Sequence, residues 1–473
     1  MSSAKGSLEA NASLSVRERL AYGSGNFSNA LVYGIVSGYL VYYYTDVIGL
    51  AAGTIGLIML ISRIFDGITD LVMGRIVDLT KSKKGKGRVW ILRICLPYAL
   101  ASILLFSVPE GATDTFKYIF VFISYNLVNS FLYTALTVPY NTLGCLLTSN
   151  GYERGLLGIF SMGGSFVSGV FLNSTILKLV NAFGNDHDAW TKTLAVYAVV
   201  GVIVHLLCYL GTTERVKEVE KDDEKVSFSV GFNSLIKNKY WVMFLIANLV
   251  IWTMVALNSG SVAYYASSVL NDVNYAGTLM NAGLIPQVVF LFASFALIKK
   301  VGKGKTFLIG AIIMAAGLGV IVFAPTNIAM VIGGSVLKGA GNGIAAGCML
   351  GITADTIDYS ARKFGVRATG LGNAAISFAQ KVAAGLGGAI MGGIMSMGGY
   401  DGMAEQQTAS AILSIKASFL YLPIILILIC VAIMAFYDLD KKNAQFAKEE
   451  AEAAAAASRL ARNSAKTLSG SAP

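Results

Sequence analysis

Apolar residues along this chain arrive in long blocks separated by short polar stretches. A bilayer's hydrocarbon core takes about 20 helical residues to cross. Blocks of that size fall at about 26–45, 54–78, 91–108, 117–147, 157–182, 191–211, 241–268, 275–298, 305–323, 328–354, 366–396 and 410–437. The pattern predicts twelve membrane-spanning helices, of which those at 117–147 and 366–396 are long enough to be broken by glycine. The polar stretches alternate in kind. Basic residues mark every second one: Lys5, Arg17 and Arg19, then Lys81, Lys83, Lys84, Lys86 and Arg88, then Arg154, Lys237 and Lys239, Lys299 to Lys305, Arg362, Lys363 and Arg367, and finally Lys441 and Lys442. The others carry Asp46, Glu110, Asp114, Asp186, Asp188, Asp272, Asp401 and Glu405. Basic loops stay on the cytoplasmic side, so both termini are expected there, as an even number of spans also requires. The polar start, Met1 to Arg19, reads as a cytoplasmic tail and not as a signal peptide.

One basic hairpin occurs twice. Lys83-Lys84-Gly85-Lys86-Gly87-Arg88 joins the second and third spans, and Lys299-Lys300-Val301-Gly302-Lys303-Gly304-Lys305 joins the eighth and ninth, about 217 residues later. The expected organisation is a six-helix bundle at 1–212, a cytoplasmic linker at 213–239, a second six-helix bundle at 240–439 and a tail at 440–473. Ala- and Ser-rich composition predicts a disordered end to that tail. The fold class is therefore an all-α membrane protein of two pseudo-symmetric six-helix bundles, the layout of major facilitator transporters.

Composition agrees with this reading and excludes others. The 473 residues are 55% hydrophobic and 14% charged, with a mean hydropathy of +0.64, whereas a soluble chain carries roughly a quarter charged residues. A soluble enzyme, a disordered regulator and a disulfide scaffold are excluded. The net charge of +10 follows from basic cytoplasmic loops and does not call for nucleic acid. Cys95, Cys145, Cys208, Cys348 and Cys430 are scattered through apolar blocks, so neither a disulfide framework nor a metal site is expected.

Ionisable groups inside a bilayer are costly, and each one is a functional candidate. The second span holds Arg63, Asp66 and Asp70. The two aspartates stand four residues apart and project from one helical face. Neighbouring carboxylates raise each other's proton affinity, which a shared proton, Na⁺ or Li⁺, or a basic partner relieves. A hard cation also takes neutral oxygens, and Thr69 and Thr134 are placed to supply them. Arg63, three residues before Asp66, offers a purely structural ion pair as the alternative, although it cannot neutralise both carboxylates. Lys338 and Lys381 also lie in apolar blocks. Lys381 is expected to pair with the second-span aspartates when no cation is bound, while Lys338 is open between substrate contact and structural partner. His187 and His205 stand alone, and no catalytic grouping is visible, so no enzyme is predicted.

At these residues the chain resembles the glycoside–pentoside–hexuronide:cation symporters, the melibiose and glucuronide permease family. The resemblance covers nearly all of 20–440. Its motifs are Tyr42-Tyr43-Tyr44-Thr45-Asp46-Val47-Ile48-Gly49, Arg63-Ile64-Phe65-Asp66-Gly67-Ile68-Thr69-Asp70 running on to Gly74-Arg75-Ile76-Val77-Asp78, and Ala354-Asp355-Thr356-Ile357-Asp358-Tyr359 followed by Gly365-Val366-Arg367 and Lys381. It implies sugar uptake coupled to Na⁺, Li⁺ or H⁺ by a monomer without a cofactor, in a bacterial cytoplasmic membrane. It assigns the cation to Asp66, Asp70 and Thr134, a coupling role to Lys381, and sugar contacts to Tyr133 and Ser377; as a mechanism, Asp355, Asp358 and Arg367 are expected to act at a cytoplasmic gate. The chain also departs from the melibiose-permease pattern. Ala30 and Thr137 stand where that pattern has sugar-binding aspartates, Asn141 where it has tryptophan, and Met162 where it has arginine. Melibiose is thus not the expected substrate, and Asn26, Asn29, Tyr33, Thr137, Tyr140 and Asn141 are left to form a neutral, aromatic pocket. A lysolipid or drug carrier on the same scaffold and a transporter-like sugar sensor are the alternatives.

Overall fold

A computed structural model of the chain describes residues 13–446 except 83, 149, 217–227, 367, 405 and 444. Lys5, Lys83, Arg367, Glu405, residues 217–227 of the linker and the tail beyond residue 446 therefore lie outside the described residues.

Every regular element among the described residues is helical. α1 spans 16–47, with a break at Tyr39 and a closing π-turn, Tyr43–Val47. It is followed by α2 (Ala52–Leu79), α3 (Arg88–Leu105), α4 (Asp114–Leu147, with an internal π-turn at Asn126–Leu132), α5 (Gly151–Phe183) and α6 (His187–Gly211). A short helix, Phe228–Lys237, leads into α7 (Lys239–Ser268), α8 (Tyr275–Val301), α9 (Lys303–Phe323), α10 (Ile328–Phe364) and α11 (Thr369–Met397). α12 covers 409–435 around a third π-turn, Ala417–Tyr421. Ten of these helices are long and apolar enough to cross a membrane, and α1 and α2 pack among them.

Several helices outrun the apolar blocks that predict them, because capping and not the bilayer surface ends them. α1 starts at Val16, ten residues before its block. There Ser15 and Glu18 form a reciprocal capping box, the serine hydroxyl accepting from the Glu18 N–H at 3.2 Å. α10 runs ten residues past its block and stops at Gly365, whose φ of +69° gives the left-handed cap that glycine favours. Asp355 and Asp358 accordingly stand on a helix and not in a loop.

Helix pairing repeats with an offset of six. α1 packs on α5 and α6, α3 on α4 and α6, and α2 on α4; in the same way α7 packs on α11 and α12, α9 on α10 and α12, and α8 on α10. Between the halves, α2 meets α11 and α5 meets α8, two contacts that the same offset interchanges. Both interfaces close backbone to backbone at the end remote from the basic hairpins. A Cβ on Gly56 would stand 2.9 Å from the Gly388 carbonyl oxygen, and one on Gly277 would strike the Asn173 carbonyl. Toward the hairpin end, Gly74 of α2 and Gly155 and Gly158 of α5 have nothing within 4 Å of that position. The halves thus touch at one end and diverge toward the other.

The hairpins themselves are built alike. Gly85 and Gly302 both take positive φ, +102° and +87°, and a carboxylate from beyond the sixth helix of the same half fills the space beside each. Glu214 accepts from the N–H groups of Lys86, Gly87 and Arg88 at 2.7, 2.9 and 2.9 Å, and Asp440 accepts from the Gly304 N–H at 2.7 Å. An anion at a helix N-terminus satisfies orphan donors and the helix dipole together.

Candidate functional site

α2 and α4 run side by side in the same direction, and one polar ridge from each forms a ladder. Asn126 Nδ2 donates to Ser62 Oγ at 2.8 Å, Ser130 Oγ donates to Asp66, and Thr134 Oγ1 donates to Asp70 at 2.9 Å. Each rung is one helical step of four residues below the last. Four residues overshoot a 3.6-residue turn, and the widened π-turn at Asn126–Leu132 lies where α4 meets this ridge.

The two aspartates sit in different surroundings. Asp66 is 3% exposed and saturated by its own half: Arg63 Nη1 donates at 3.0 Å, Asn129 Nδ2 at 3.3 Å, and Ser130 on the ladder. The Arg63 side chain is 13% exposed, and its buried Nε has no partner among the described residues. Asp70 is about a third exposed and is ion-paired with Lys381 of α11, itself about a third exposed. Sequence reasoning placed Asp66, Asp70, Thr134, Arg63 and Lys381 together, and the structure brings all five to this spot. Thr69 is different: its hydroxyl donates to the Phe65 and Asp66 carbonyls of its own helix at 3.0 and 3.1 Å. The oxygen turned to Asp66 is that of Ser130, which sequence reasoning missed. Polar residues recurring every four positions from Asn126 to Thr134, inside an apolar block, were the available signal. Among the described residues no cluster of three His, Cys, Asp or Glu side chains could hold a metal ion; the ladder brings the Asp70 carboxylate beside the hydroxyl of Thr134 and the Asp66 carboxylate beside that of Ser130.

The expected sugar contacts divide. Tyr33 of α1 and Tyr133 of α4 stack with ring centroids 5.3 Å apart, both partly exposed, and Asn141 and Ser377 are exposed. The Thr137 hydroxyl donates to the Tyr133 carbonyl at 2.9 Å, and Asn26 Nδ2 to the Ser161 carbonyl at 3.1 Å. Asn29 and Tyr140, by contrast, are committed to packing inside the first half. Asn29 is 1% exposed and accepts from His205 Nε2 at 3.0 Å. Tyr140 stacks on Tyr22 at 4.5 Å, donates to the Tyr22 carbonyl at 2.9 Å and pairs with the Ser161 hydroxyl at 3.0 Å. A small-residue α1 face against α5 and α6 leaves both side chains turned inward, so neither is available to a ligand.

Lys338 stands apart from the aspartates, on α10, bonded to Asn258 of α7 and facing a cavity of about 270 Å³ between the halves. Asp355 receives Lys303 Nζ at 2.8 Å on both oxygens, a pair within the second half and not across the halves. Asp358 lies one turn further along α10, and Arg367 is outside the described residues.

At the end remote from the hairpins, the halves are tied by hydrogen bonds that sequence reasoning did not name. Thr45 and Tyr264 hydroxyls meet at 2.7 Å, Tyr400 donates to Asp46 at 2.5 Å, Asn173 Nδ2 donates to Asn281 Oδ1 at 3.2 Å, and Asn181 Nδ2 donates to Asn274 Oδ1 at 2.9 Å. The π-turn Tyr43–Val47 presents Thr45 and Asp46 to this latch.

A model of the family described as MFS/sugar transport protein matches residues 21–441. The chain is 28% identical over 431 residues to the isoprimeverose transporter of Lactiplantibacillus pentosus, covering 90% of this chain and 89% of that one. It is 30% identical over 436 residues to an uncharacterized symporter of Bacillus subtilis (strain 168), covering 91% and 93%, and 27% identical over 454 residues to a glucuronide carrier protein homolog of Escherichia coli (strain K12), covering 92% and 94%. Among solved structures, the nucleoside transporter NupG superposes with a TM-score of 0.60 at 14% identity, over 89% of this chain and 100% of that one. A bacterial homolog of the human lysosomal transporter Spinster, inward-facing and unoccupied, gives 0.61 at 15%, over 89% and 95%. These likenesses show the same fold.

Proposed function

The chain belongs to the MFS/sugar transport protein family, a family of transporters and not of enzymes, and we propose that it imports a glycoside, pentoside or hexuronide together with Na⁺, Li⁺ or H⁺ by alternating access. The observation that carries this reading is the Lys381–Asp70 ion pair, which ties a carboxylate of one half to a cation of the other. A monovalent cation or proton at Asp70, with Thr134 and Ser130 supplying neutral oxygens, does what the Lys381 ammonium does and releases it. Removing the pair loosens the α2–α11 interface and lets the halves rearrange around a bound sugar. Asp66 serves differently, holding Arg63 and the α2–α4 ladder in register. Tyr33 and Tyr133 give the sugar an aromatic face. The basic end is read as cytoplasmic, in a bacterial cytoplasmic membrane, so the latched end faces outward and the arrangement is open to the cytoplasm. Asp355 and Asp358 act at the cytoplasmic gate. The sugar-transporter and glucuronide-carrier names of the relatives support the substrate class.

The test is sugar uptake by proteoliposomes under an imposed Na⁺, Li⁺ or pH gradient. Wild type accumulates sugar and Asp70→Asn does not, while zero-gradient exchange separates a carrier from a sensor that binds without transport. Undiminished accumulation by Asp70→Asn would remove the cation assignment.

A further inference from the structure

Lys338 has no part in the aspartate network, whose two carboxylates are already matched by Arg63 and Lys381. Among the described residues no carboxylate pairs with it. Its ammonium donates to Asn258 Oδ1 and lies 5.8 Å from the Phe419 ring centroid. The Asn258 amide is fixed in that orientation because its Nδ2 donates to the Phe419 carbonyl at 2.8 Å, on the π-turn of α12. An ammonium has three donors, so two remain for whatever enters the cavity it faces. That cavity of about 270 Å³ lies between the halves, with Ser37 and Asn173 from the first and Asn258, Gln287 and Asn342 from the second.

A cation held inside a membrane protein with only a neutral amide is costly. A ligand that brings the opposite charge removes that cost, and the surrounding amides and hydroxyl both donate and accept, as sugar hydroxyls require. The site contains one point charge and no guanidinium fork. It therefore suits one negative charge better than a phosphate ester, which carries ≈ −1.5 to −2. Its volume, just under the ~300–1,000 Å³ of drug-sized ligand sites, fits one sugar ring. We propose that Lys338 is an anion receptor and that this cavity takes a monosaccharide-sized sugar acid in preference to its uncharged counterpart. The proposal rests on the sugar-uptake reading above and names the charge of the substrate.

The experiment uses the full chain in proteoliposomes and measures uptake, and competition for uptake, of paired probes: D-glucuronate with its methyl ester and D-glucose, and D-galacturonate with its methyl ester and D-galactose. The acid of a recognised pair is expected to be favoured over its ester by about ten- to a hundredfold, the weight of a hydrogen bond to a charged group. Lys338→Met should abolish this preference, and Lys338→Arg should keep most of it. The acid-to-ester ratio is read within one preparation, so a poorly folded variant lowers both uptakes without altering the ratio. A wild type that handles ester or neutral sugar as well as the acid, or a Lys338→Met variant that keeps the ratio, overturns the proposal while leaving sugar uptake standing. No uptake of any pentose, hexose, glycoside or uronate overturns both.

Discussion

Lys381 of α11 crosses the interface between the halves to ion-pair with Asp70 of α2, on the rung where Thr134 of α4 donates to the same carboxylate at 2.9 Å. Asp70 is thus neutralised by a residue of the opposite half, whereas Asp66 is neutralised by residues of its own half. That difference gives the two carboxylates separate consequences on substitution.

Lys381→Met removes the internal competitor for Asp70. Because the pair is about a third exposed, solvent screens it. Apparent cation affinity is expected to rise by only about two- to fivefold, measured by Na⁺ or Li⁺ titration of thermal stability. Unchanged or weaker binding would show that Lys381 and the cation do not share Asp70.

Asp66→Asn leaves the Arg63 charge buried and uncompensated, which costs roughly 3–5 kcal/mol. A clear drop in Tm in detergent is expected, with most of it recovered in the double variant Arg63→Met/Asp66→Leu. Asp70→Asn should hold its Tm within a few degrees, since its partner is about a third exposed and solvent screens the charge left behind. Equal stability of Asp66→Asn and Asp70→Asn would contradict this division.

Gly302→Ala should be destabilising for two reasons at once. Its φ of +87° with ψ of 168° is a conformation essentially confined to glycine and costs an L side chain about 1–3 kcal/mol, and the added Cβ would sit 2.6 Å from Asp440 Oδ2. Gly319→Ala, inside α9 with nothing within 4 Å of its Cβ position, is the control and should be neutral or mildly stabilising. Comparing the two melting temperatures checks the hairpin geometry.

Tyr400→Phe deletes the hydroxyl that donates to Asp46 at 2.5 Å, a hydrogen bond to a charged group worth about 1.5–3 kcal/mol. The remote end should then open more often. In a chain with the exposed Cys145 replaced by Ser, Ser37→Cys, which lines the cavity, should react roughly tenfold faster with an impermeant maleimide when Tyr400→Phe is added. Equal rates would mean that Asp46 and Tyr400 do not hold that end shut.

The twelve helices and their two-half repeat were legible because the bilayer writes its thickness into the apolar blocks and the hairpins carry their basic glycine pattern twice. Asp66, Asp70, Arg63 and Lys381 were legible for the same reason, as charges where none is cheap. What stayed hidden depends on helix rotation and on neighbours. The π-turn at Asn126–Leu132, which aligns Asn129 and Ser130 with Asp66, leaves no mark in hydropathy. Asn29 and Tyr140 looked like ligand contacts by residue type, and only the close α1–α5–α6 packing shows them spent on His205 and Tyr22. Glu214 and Asp440 carry no signal of their own in the sequence, and only the positive-φ glycines that fold against them give them a place.

Cation coupling through Asp70 is the centre of the account, and its most direct test is sugar-driven cation movement. Proteoliposomes holding no ion gradient are given a transported sugar, and Na⁺ or H⁺ entry is recorded for wild type and Asp70→Asn. Wild type is expected to carry the cation inward with the sugar, and Asp70→Asn to show no sugar-dependent cation entry. Equal sugar-driven cation entry in both, or sugar uptake by wild type with no cation movement of any kind, would contradict it.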